Sequence, residues 1–89
     1  MIAQRRDNNE KEIIEYARRE NCAVISMDKS AGFDLLIISP RTGPQIVEVK
    51  NPAVRWKIEP AEQKRKDEIE AAGGTYHIVF FASELGAII

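Results

Sequence analysis

The sequence predicts an α/β domain in which helices flank a mixed sheet, and two observations support this fold class. Hydrophobic patterns follow the order helix, strand, strand, strand, helix, strand along the chain. A tight polar turn separates the second and third strands, whereas a helix precedes the fourth. Because tight turns join antiparallel strands and helical crossovers join parallel ones, both kinds of pairing are expected. The length of 89 residues predicts one domain, spanning 1–89.

The first half of the chain predicts one helix and three strands. A helix is expected from a cap at Asn8 or Asn9 to Glu20. The strands that follow are predicted over 22–27, 33–39 and 45–50, with turns over 28–32 and 40–44. The second strand is nearly continuous in apolar side chains, which is typical of a strand buried on both faces.

The second half predicts a loop, a helix and a strand. Pro60 suits the first position of a helix that ends near Ala72. A Gly-Gly pair then stops the helix. A strong strand is expected over 75–82, and residues 83–89 form a short helix or a tail.

Composition excludes several classes of protein. Lys and Arg number 13 against 14 Asp and Glu, and 44% of residues are hydrophobic, which argues against a disordered tail or a generally basic coat on nucleic acid. No apolar run approaches the roughly 20 residues of a membrane span. The first residues, with Arg5, Arg6 and Asp7, lack the apolar core of a signal peptide. The single cysteine, Cys22, cannot form an intrachain disulfide, so a cytoplasmic location is expected.

Three charged residues fall within the predicted strands: Asp34, Glu48 and Lys50. A charge in a buried strand is costly unless it is paired or liganded. Glu48 and Lys50 point to one face because side chains alternate along a strand, and Asp34 comes from the neighbouring strand. Two carboxylates and an ammonium could therefore converge. This combination is typical of metal-assisted hydrolysis, in which Mg²⁺ or Mn²⁺ grips phosphate oxygens and the lysine orients water, removes its proton or neutralises charge.

The first predicted helix offers a further acid, Glu10. It falls on the apolar stripe that includes Ile13 and Ala17, so it is expected to face the sheet. Structural alternatives stay open for this whole set. Glu10 could simply favour the helix dipole, and Asp34 could cap a turn. Glu48 and Lys50 could form an exposed ion pair on an edge strand.

At these residues the sequence resembles a known family. The motifs GFD at 32–34 and EVK at 48–50, in this element order, resemble the PD-(D/E)XK nuclease superfamily. The segment IEPAEQ at 58–63, followed by a helix and Gly-Gly at 73–74, is similar to the VRR-NUC branch. The resemblance implies a restriction-endonuclease-like αβββαβ core.

The resemblance also implies roles for matching residues. Asp34 and Glu48 would bind Mg²⁺ or Mn²⁺, with the Val49 carbonyl as a third ligand. Glu10 would support this metal shell, and Lys50 would be the catalytic lysine.

A conserved feature of the family pattern, a glutamine at the start of the second helix, is matched less simply. Gln63 is taken as this glutamine and as a site residue. Counted from Ile58, however, Glu62 falls where the glutamine is expected, so Glu62 competes for the role.

Basic and aromatic residues follow the EVK motif. Arg55, Lys57 and Lys64 are expected to contact DNA phosphates. Trp56 could stack on an unpaired base, cover a small core or fill a dimer interface.

The expected function is therefore a divalent-metal-dependent DNA endonuclease. Small stand-alone members of the family resemble Holliday-junction resolvases and act as homodimers, so branched DNA and a homodimer are expected. A dimer would also supplement the modest core that 89 residues can bury. The alternatives are a non-catalytic DNA-binding or assembly module, and a nuclease on flap, single-stranded or duplex DNA.

Overall fold

The computed structural model describes residues 8–53 and 55–89. The expectation for the first residues, including Arg5, Arg6 and Asp7, lies outside the described residues. The secondary structure comprises α1 (Asn8–Arg19), β1 (Ala23–Ser26), a 3₁₀ helix (Lys29–Ala31), β2 (Leu35–Ser39), β3 (Gly43–Val49), α2 (Pro60–Ala71), β4 (Tyr76–Val79) and a second 3₁₀ helix (Ala82–Ala87). Within the described residues, no helix is both long and apolar enough to cross a bilayer.

The four strands form one sheet in the order β1-β2-β3-β4. The β1–β2 and β2–β3 pairs are antiparallel, and the β3–β4 pair is parallel. The mixed sheet expected from the element order is therefore confirmed. Since β3 and β4 run in the same direction, their carboxyl ends lie at one edge of the sheet, beside the start of β2.

The core lies between one face of the sheet and α1. Ile13 and Ala17 on α1 are fully buried, as are Leu35 and Val47 on the sheet. This is the apolar stripe expected from helical periodicity. The C-terminal residues complete the layer, with Leu85 fully buried. The last helix therefore docks on this core.

The opposite face of the sheet corrects one expectation. The strand expected to be buried on both faces is covered on one, because Ile38 on β2 is 39% exposed while Leu35 is fully buried. The physical reason is the composition of α2, in which Ile69 is the one large aliphatic side chain. A helix this polar offers little apolar surface to β2, and its main contacts with the sheet are to β4.

Several element boundaries also differ from those expected. β2 begins at Leu35, so Asp34 lies directly before the strand, although the Asp34 amide donates to the Val47 carbonyl at 3.2 Å. β3 begins at Gly43, whose φ of +82° suits the hairpin turn, and it ends one residue before Lys50. The Lys50 amide still donates to the Val79 carbonyl at 3.0 Å. The polar residues predicted inside strands thus sit at strand ends.

Candidate functional site

Four charged side chains meet at the sheet edge where β3 ends. They come from the residue before β2, the end of β3, the residue after β3 and the first turn of α2, and they are Asp34, Glu48, Lys50 and Glu62. The first three were expected from the strand pattern. Their convergence follows from the antiparallel β2–β3 pairing, which places the start of β2 beside the end of β3.

Lys50 bridges two carboxylates. Its Nζ atom lies 3.1 Å from Glu48 Oε2 and 2.9 Å from Glu62 Oε1. The Glu48 side chain is 3% exposed and that of Lys50 12%, so both charges are largely removed from water. The two expected strand residues are therefore a buried ion pair rather than the exposed one considered as an alternative.

The Asp34 carboxylate is fixed by the backbone of the adjacent strand. Its Oδ2 atom accepts a hydrogen bond of 2.8 Å from the Val49 amide. The Asp34 carbonyl accepts another, of 2.9 Å, from the Met27 amide. These bonds hold the side chain at the end of β3, on the site that also contains Glu48.

Glu62 reaches the site through the capping of α2. The helix begins at Pro60 and has Glu59 as its N-cap, which places Glu62 at the third helical position. Glu62 Oε1 accepts a 3.0 Å hydrogen bond from the Glu59 amide while it also accepts from Lys50. This bond belongs to a capping box between Glu59 and Glu62, and it aims the Glu62 carboxylate at the end of β3.

A glycine allows α2 to approach the sheet this closely. Gly32 has φ of +80°, and a Cβ atom there would lie 2.7 Å from Arg65 Cβ. Arg65 Nε donates to the Ala31 carbonyl at 2.8 Å, and the Tyr76 hydroxyl donates to the Gly32 carbonyl at 2.7 Å. Gly32, the first residue of the GFD motif, thus sets the distance between α2 and the site.

Burial and mutual repulsion change the pKa values of the acids in the cluster. Burial raises the pKa of Glu48 to about 8, and the nearby Glu62 and Asp34 carboxylates add to this. Burial likewise raises the pKa of Asp34. Glu62 differs: burial opposes its ionisation, but hydrogen bonds from its neighbours outweigh burial and lower its pKa. Burial also works against the charge of Lys50, yet its two carboxylate partners raise its pKa. The ammonium form is therefore favoured.

The acids match the ligands that Mg²⁺ and Mn²⁺ prefer. Asp34, Glu48 and Glu62 line a cavity of about 510 Å³. Glu48 Oε1 is buried and has no hydrogen-bond partner among the described residues. Such an oxygen is available to ligate a cation. Among those residues, no three Asp, Glu, His or Cys side chains are already arranged around one metal position. Mg²⁺ needs only one or two carboxylates because water and phosphate supply its other ligands, so the donor set fits.

The structure brings Glu62, and not Gln63, to this cluster. Gln63 is exposed, and its Nε2 atom donates to Asp67 Oδ1 at 2.8 Å along the outer surface of α2. Successive helical residues differ by about 100° in direction, so only one of the two can face the strand. The sequence assignment of Gln63 to the site is thus not supported by its position, whereas its competitor Glu62 pairs with the lysine.

The start of α1 also lies at this edge of the sheet. Asn9 Nδ2 donates to the carbonyls of Lys50 and Phe80, at 2.9 and 3.2 Å. Glu10, in the same turn, is half-buried. The sequence suggested Asn9 only as a cap. Its position four residues before the buried Ile13 is the signal that it faces the sheet.

The predicted DNA-contacting cations divide between two surfaces. Arg55 and Lys57 line a cavity of about 490 Å³ together with Lys50 and Trp56. Lys64 lines a different cavity, of about 360 Å³, on the other side of α2. Two of the three cations therefore adjoin the candidate site.

The fold is similar to that of a solved structure described as a VRR_NUC domain, with a TM-score of 0.64. The match covers 92% of this chain and 95% of that chain, at 21% sequence identity. The resemblance expected from the motifs is therefore confirmed at the level of the fold. No protein-family model and no curated protein sequence matches the chain.

Proposed function

We propose that this protein is a divalent-metal-dependent DNA endonuclease. The observation that carries the proposal is the convergence of Asp34, Glu48 and Lys50 at the end of β3, in a chain with the fold of a VRR_NUC domain. Burying an acid with an unpartnered oxygen destabilises the fold unless a ligand satisfies that oxygen. A bound cation that also contacts phosphate would satisfy it, and such buried, perturbed acids are typical of functional sites.

Asp34 and Glu48 would hold Mg²⁺ or Mn²⁺, with the Val49 carbonyl as a further ligand and Glu10 as support. The metal would polarise the phosphoryl group and lower the pKa of a bound water. The hydrogen bond from the Val49 amide keeps the Asp34 carboxylate in place, which reduces the reorganisation needed on binding.

Lys50 acts in this proposal as a fixed positive charge. Its carboxylate partners raise its pKa, so it is charged near neutral pH and a poor acceptor of a proton from water. The sequence left both roles open. The ion pairs favour stabilisation of negative charge that develops on the phosphate over removal of a proton.

The test is a cleavage assay with purified protein. Labelled four-way junction, flap, single-stranded and linear duplex DNA would be incubated with Mg²⁺, Mn²⁺ or EDTA. We expect metal-dependent cleavage that is abolished by Asp34→Ala and strongly reduced by Lys50→Met. Cleavage in EDTA, or an Asp34→Ala variant as active as wild type, would refute the proposal.

A non-catalytic DNA-binding module is the second candidate, and one observation favours it. The Lys50 ammonium is already engaged by two carboxylates, which is also what a purely structural ion pair requires. Calorimetric titration with Mg²⁺ and Mn²⁺ separates the two. Binding that is lost in Asp34→Ala supports the nuclease, and no binding in the millimolar range supports the module.

We further propose that the active form is a homodimer on branched DNA. A two-fold axis presents two identical sites, which suits the two strands that must be cut at a junction. The relative rates on the four DNA substrates test the preference for a junction.

A further inference from the structure

We propose that the cavity beside Lys50 binds an unpaired nucleobase stacked on Trp56. The substrate would then be DNA with at least one unpaired nucleotide next to the cleaved bond. The inference deepens the proposed function and rests on it for the position of that bond. The stacking itself can be tested without any cleavage.

The cavity adjoins the acidic site. Lys50 lines it, while the Nζ atom of the same residue contacts Glu48 and Glu62 in the acidic cavity. Glu59 lines both cavities. A phosphate held near Lys50 therefore has space for an adjoining nucleotide on the side of Trp56. The volume of about 490 Å³ is ample for one base and its sugar.

Trp56 is arranged as a stacking platform. It is 43% exposed, although tryptophan is usually well buried. Its ring meets Phe80 edge to face, with centroids 5.1 Å apart and planes at 67°. This contact orients the indole without burying it. A base has a π-face whatever its sequence, so such a ring suits unpaired nucleotides in general.

Two cations flank the platform and are available for phosphates. Arg55 and Lys57 are exposed, and neither forms an ion pair with another described residue. Arg65 and Lys66 on α2, by contrast, are each paired with a glutamate. An exposed aromatic ring between available cations is the usual composition of a single-strand binding groove.

The base must be unpaired because stacking on a side chain requires a free face. Inside a duplex both faces of each base are covered by neighbours, and extruding one costs a few kcal/mol. A flap, a gap or a branch with an unpaired nucleotide presents that face at no such cost.

Fluorescence provides the first test, because Trp56 is the only tryptophan in the chain. Wild-type protein would be titrated in EDTA with single-stranded oligothymidylate and, separately, with a fully paired duplex. We expect marked quenching by the single strand and little by the duplex. Unchanged fluorescence at single-strand concentrations that saturate binding by anisotropy would overturn the inference.

Variants provide the second test, by anisotropy of the labelled single strand. Trp56→Leu is expected to weaken binding by about tenfold, and Trp56→Phe by much less, because stacking on an aromatic ring contributes most of the difference. Duplex binding should be equal in all three proteins. Equal single-strand binding by Trp56→Leu, or a change in oligomer mass in place of DNA affinity, would overturn the inference. Thermal unfolding checks that both variants are folded.

The outcomes separate this inference from the proposed function. Asp34→Asn should lose cleavage but keep the quenching, since Asp34 lies in the acidic cavity. Cleavage without quenching refutes the Trp56 site alone. Quenching without cleavage by wild type refutes the nuclease and leaves a single-strand binding site.

Discussion

The buried carboxyl of Glu48 dominates the site at the scale of single residues. It is 2% exposed and shares the Lys50 ammonium with Glu62, while a third acid, Asp34, lies at the same end of β3. Without a metal, the state of lowest free energy at neutral pH keeps one proton on the acids. The raised pKa of Glu48, about 8, expresses this preference for the protonated carboxyl. A metal ion would replace that proton, so metal binding and acidity are linked.

This linkage predicts how stability depends on pH. Because the folded pKa of Glu48 lies above its ordinary value of 4.5, its contribution to stability is fully present below pH 4.5 and is lost as pH rises through about 8. In EDTA, Glu48→Gln is therefore expected to match wild type near pH 4.5. At pH 9 it should be more stable, by on the order of a few kcal/mol. Urea unfolding at several pH values measures the difference.

Groups that do not contact Glu48, such as His77, titrate alike in both proteins, so the comparison reports on Glu48 together with its neighbours Asp34 and Glu62. Burial lowers the pKa of His77, which gives the opposite trend in acid but cancels in the difference. Parallel stability curves for the two proteins from pH 4.5 to pH 9 would contradict this interpretation. Mg²⁺ at pH 9 should stabilise wild type and leave Glu48→Gln unchanged.

The choice between neighbouring residues at the start of α2 leads to a second prediction. Glu62→Ala is expected to reduce the cleavage rate roughly 10–100-fold, as loss of a group that orients an active-site residue commonly does. Glu62→Gln should retain most activity because an amide oxygen can still accept from Lys50. Gln63→Ala should cleave like wild type, since its side chain bonds Asp67 on the outer surface. Rates at saturating DNA measure all three.

The reverse order, with Gln63→Ala impaired and Glu62→Ala active, would restore the assignment made from the sequence. Thermal unfolding provides the control, because loss of the capping bond to Glu59 could also destabilise α2.

These residues show how far sequence reasoning extends at a site. Asp34, Glu48 and Lys50 could be predicted because a charge is conspicuous among apolar strand residues. Glu62 and Gln63 could not be separated, since a motif fixes a position only to within a residue and a helix turns about 100° over that distance. The Glu59-Pro60 start is the local signal that resolves them. The exposure of Trp56 depends on its contact with Phe80, which periodicity does not report.

At the scale of elements, the contact between α2 and the loop before β2 rests on one glycine. Gly32→Ala would combine backbone strain at φ +80° with a Cβ placed 2.7 Å from Arg65 Cβ. Gly43→Ala is the matched control, because its φ is +82° and nothing lies within 4 Å of its Cβ. Strain alone costs about 1–2 kcal/mol, and overpacking adds about 1–3 kcal/mol. Urea unfolding should therefore show the greater loss for Gly32→Ala.

The same displacement should affect the site. If α2 moves away from Gly32, Glu62 moves away from Lys50, so cleavage should fall in Gly32→Ala and remain near wild type in Gly43→Ala. Equal stability losses and equal activities would mean that α2 is not positioned by this contact.

Elements also show where periodicity is insufficient. The order of helices and strands could be predicted because each has its own hydrophobic period. The sequence pattern does not predict which faces of the sheet are covered, because coverage depends on whether the crossover helix is apolar. In β2 the run from Leu35 to Ile38 suggested two buried faces, yet α2 supplies only Ile69 as a large apolar partner.

At the scale of the whole molecule, charge is locally sorted although the total is −1. Acids gather in the cavity at the end of β3, and available cations lie beside it at Arg55 and Lys57. A bound cation would offset the acids, so the basic rim could then attract a phosphate backbone. Near-neutral composition is thus compatible with a DNA substrate.

The uncovered face of the sheet is the surface on which we expect the proposed homodimer to form. Ile25, Leu36 and Ile46 are cross-strand neighbours there, and Ile38 lies beside them on β2. Ile25 is 45% exposed and Ile38 39%. An apolar face that spans three adjacent strands is suited to a second copy of itself, because a two-fold interface joins the same patch on both chains.

Light scattering should accordingly give wild type a mass twice the 10.1 kDa of one chain. Ile38→Lys is expected to give the single-chain mass because it places a charge in the interface, with little loss of stability since Ile38 is exposed in one chain. Ala71→Lys adds the same charge at an exposed position on α2 and should remain dimeric. A wild-type protein that is monomeric at the concentrations at which it cleaves DNA would rule out the dimer. A dimer that survives Ile38→Lys would place its interface on another surface.

If both sites of the dimer are needed to resolve a junction, monomeric Ile38→Lys should nick one strand but fail to cut both strands.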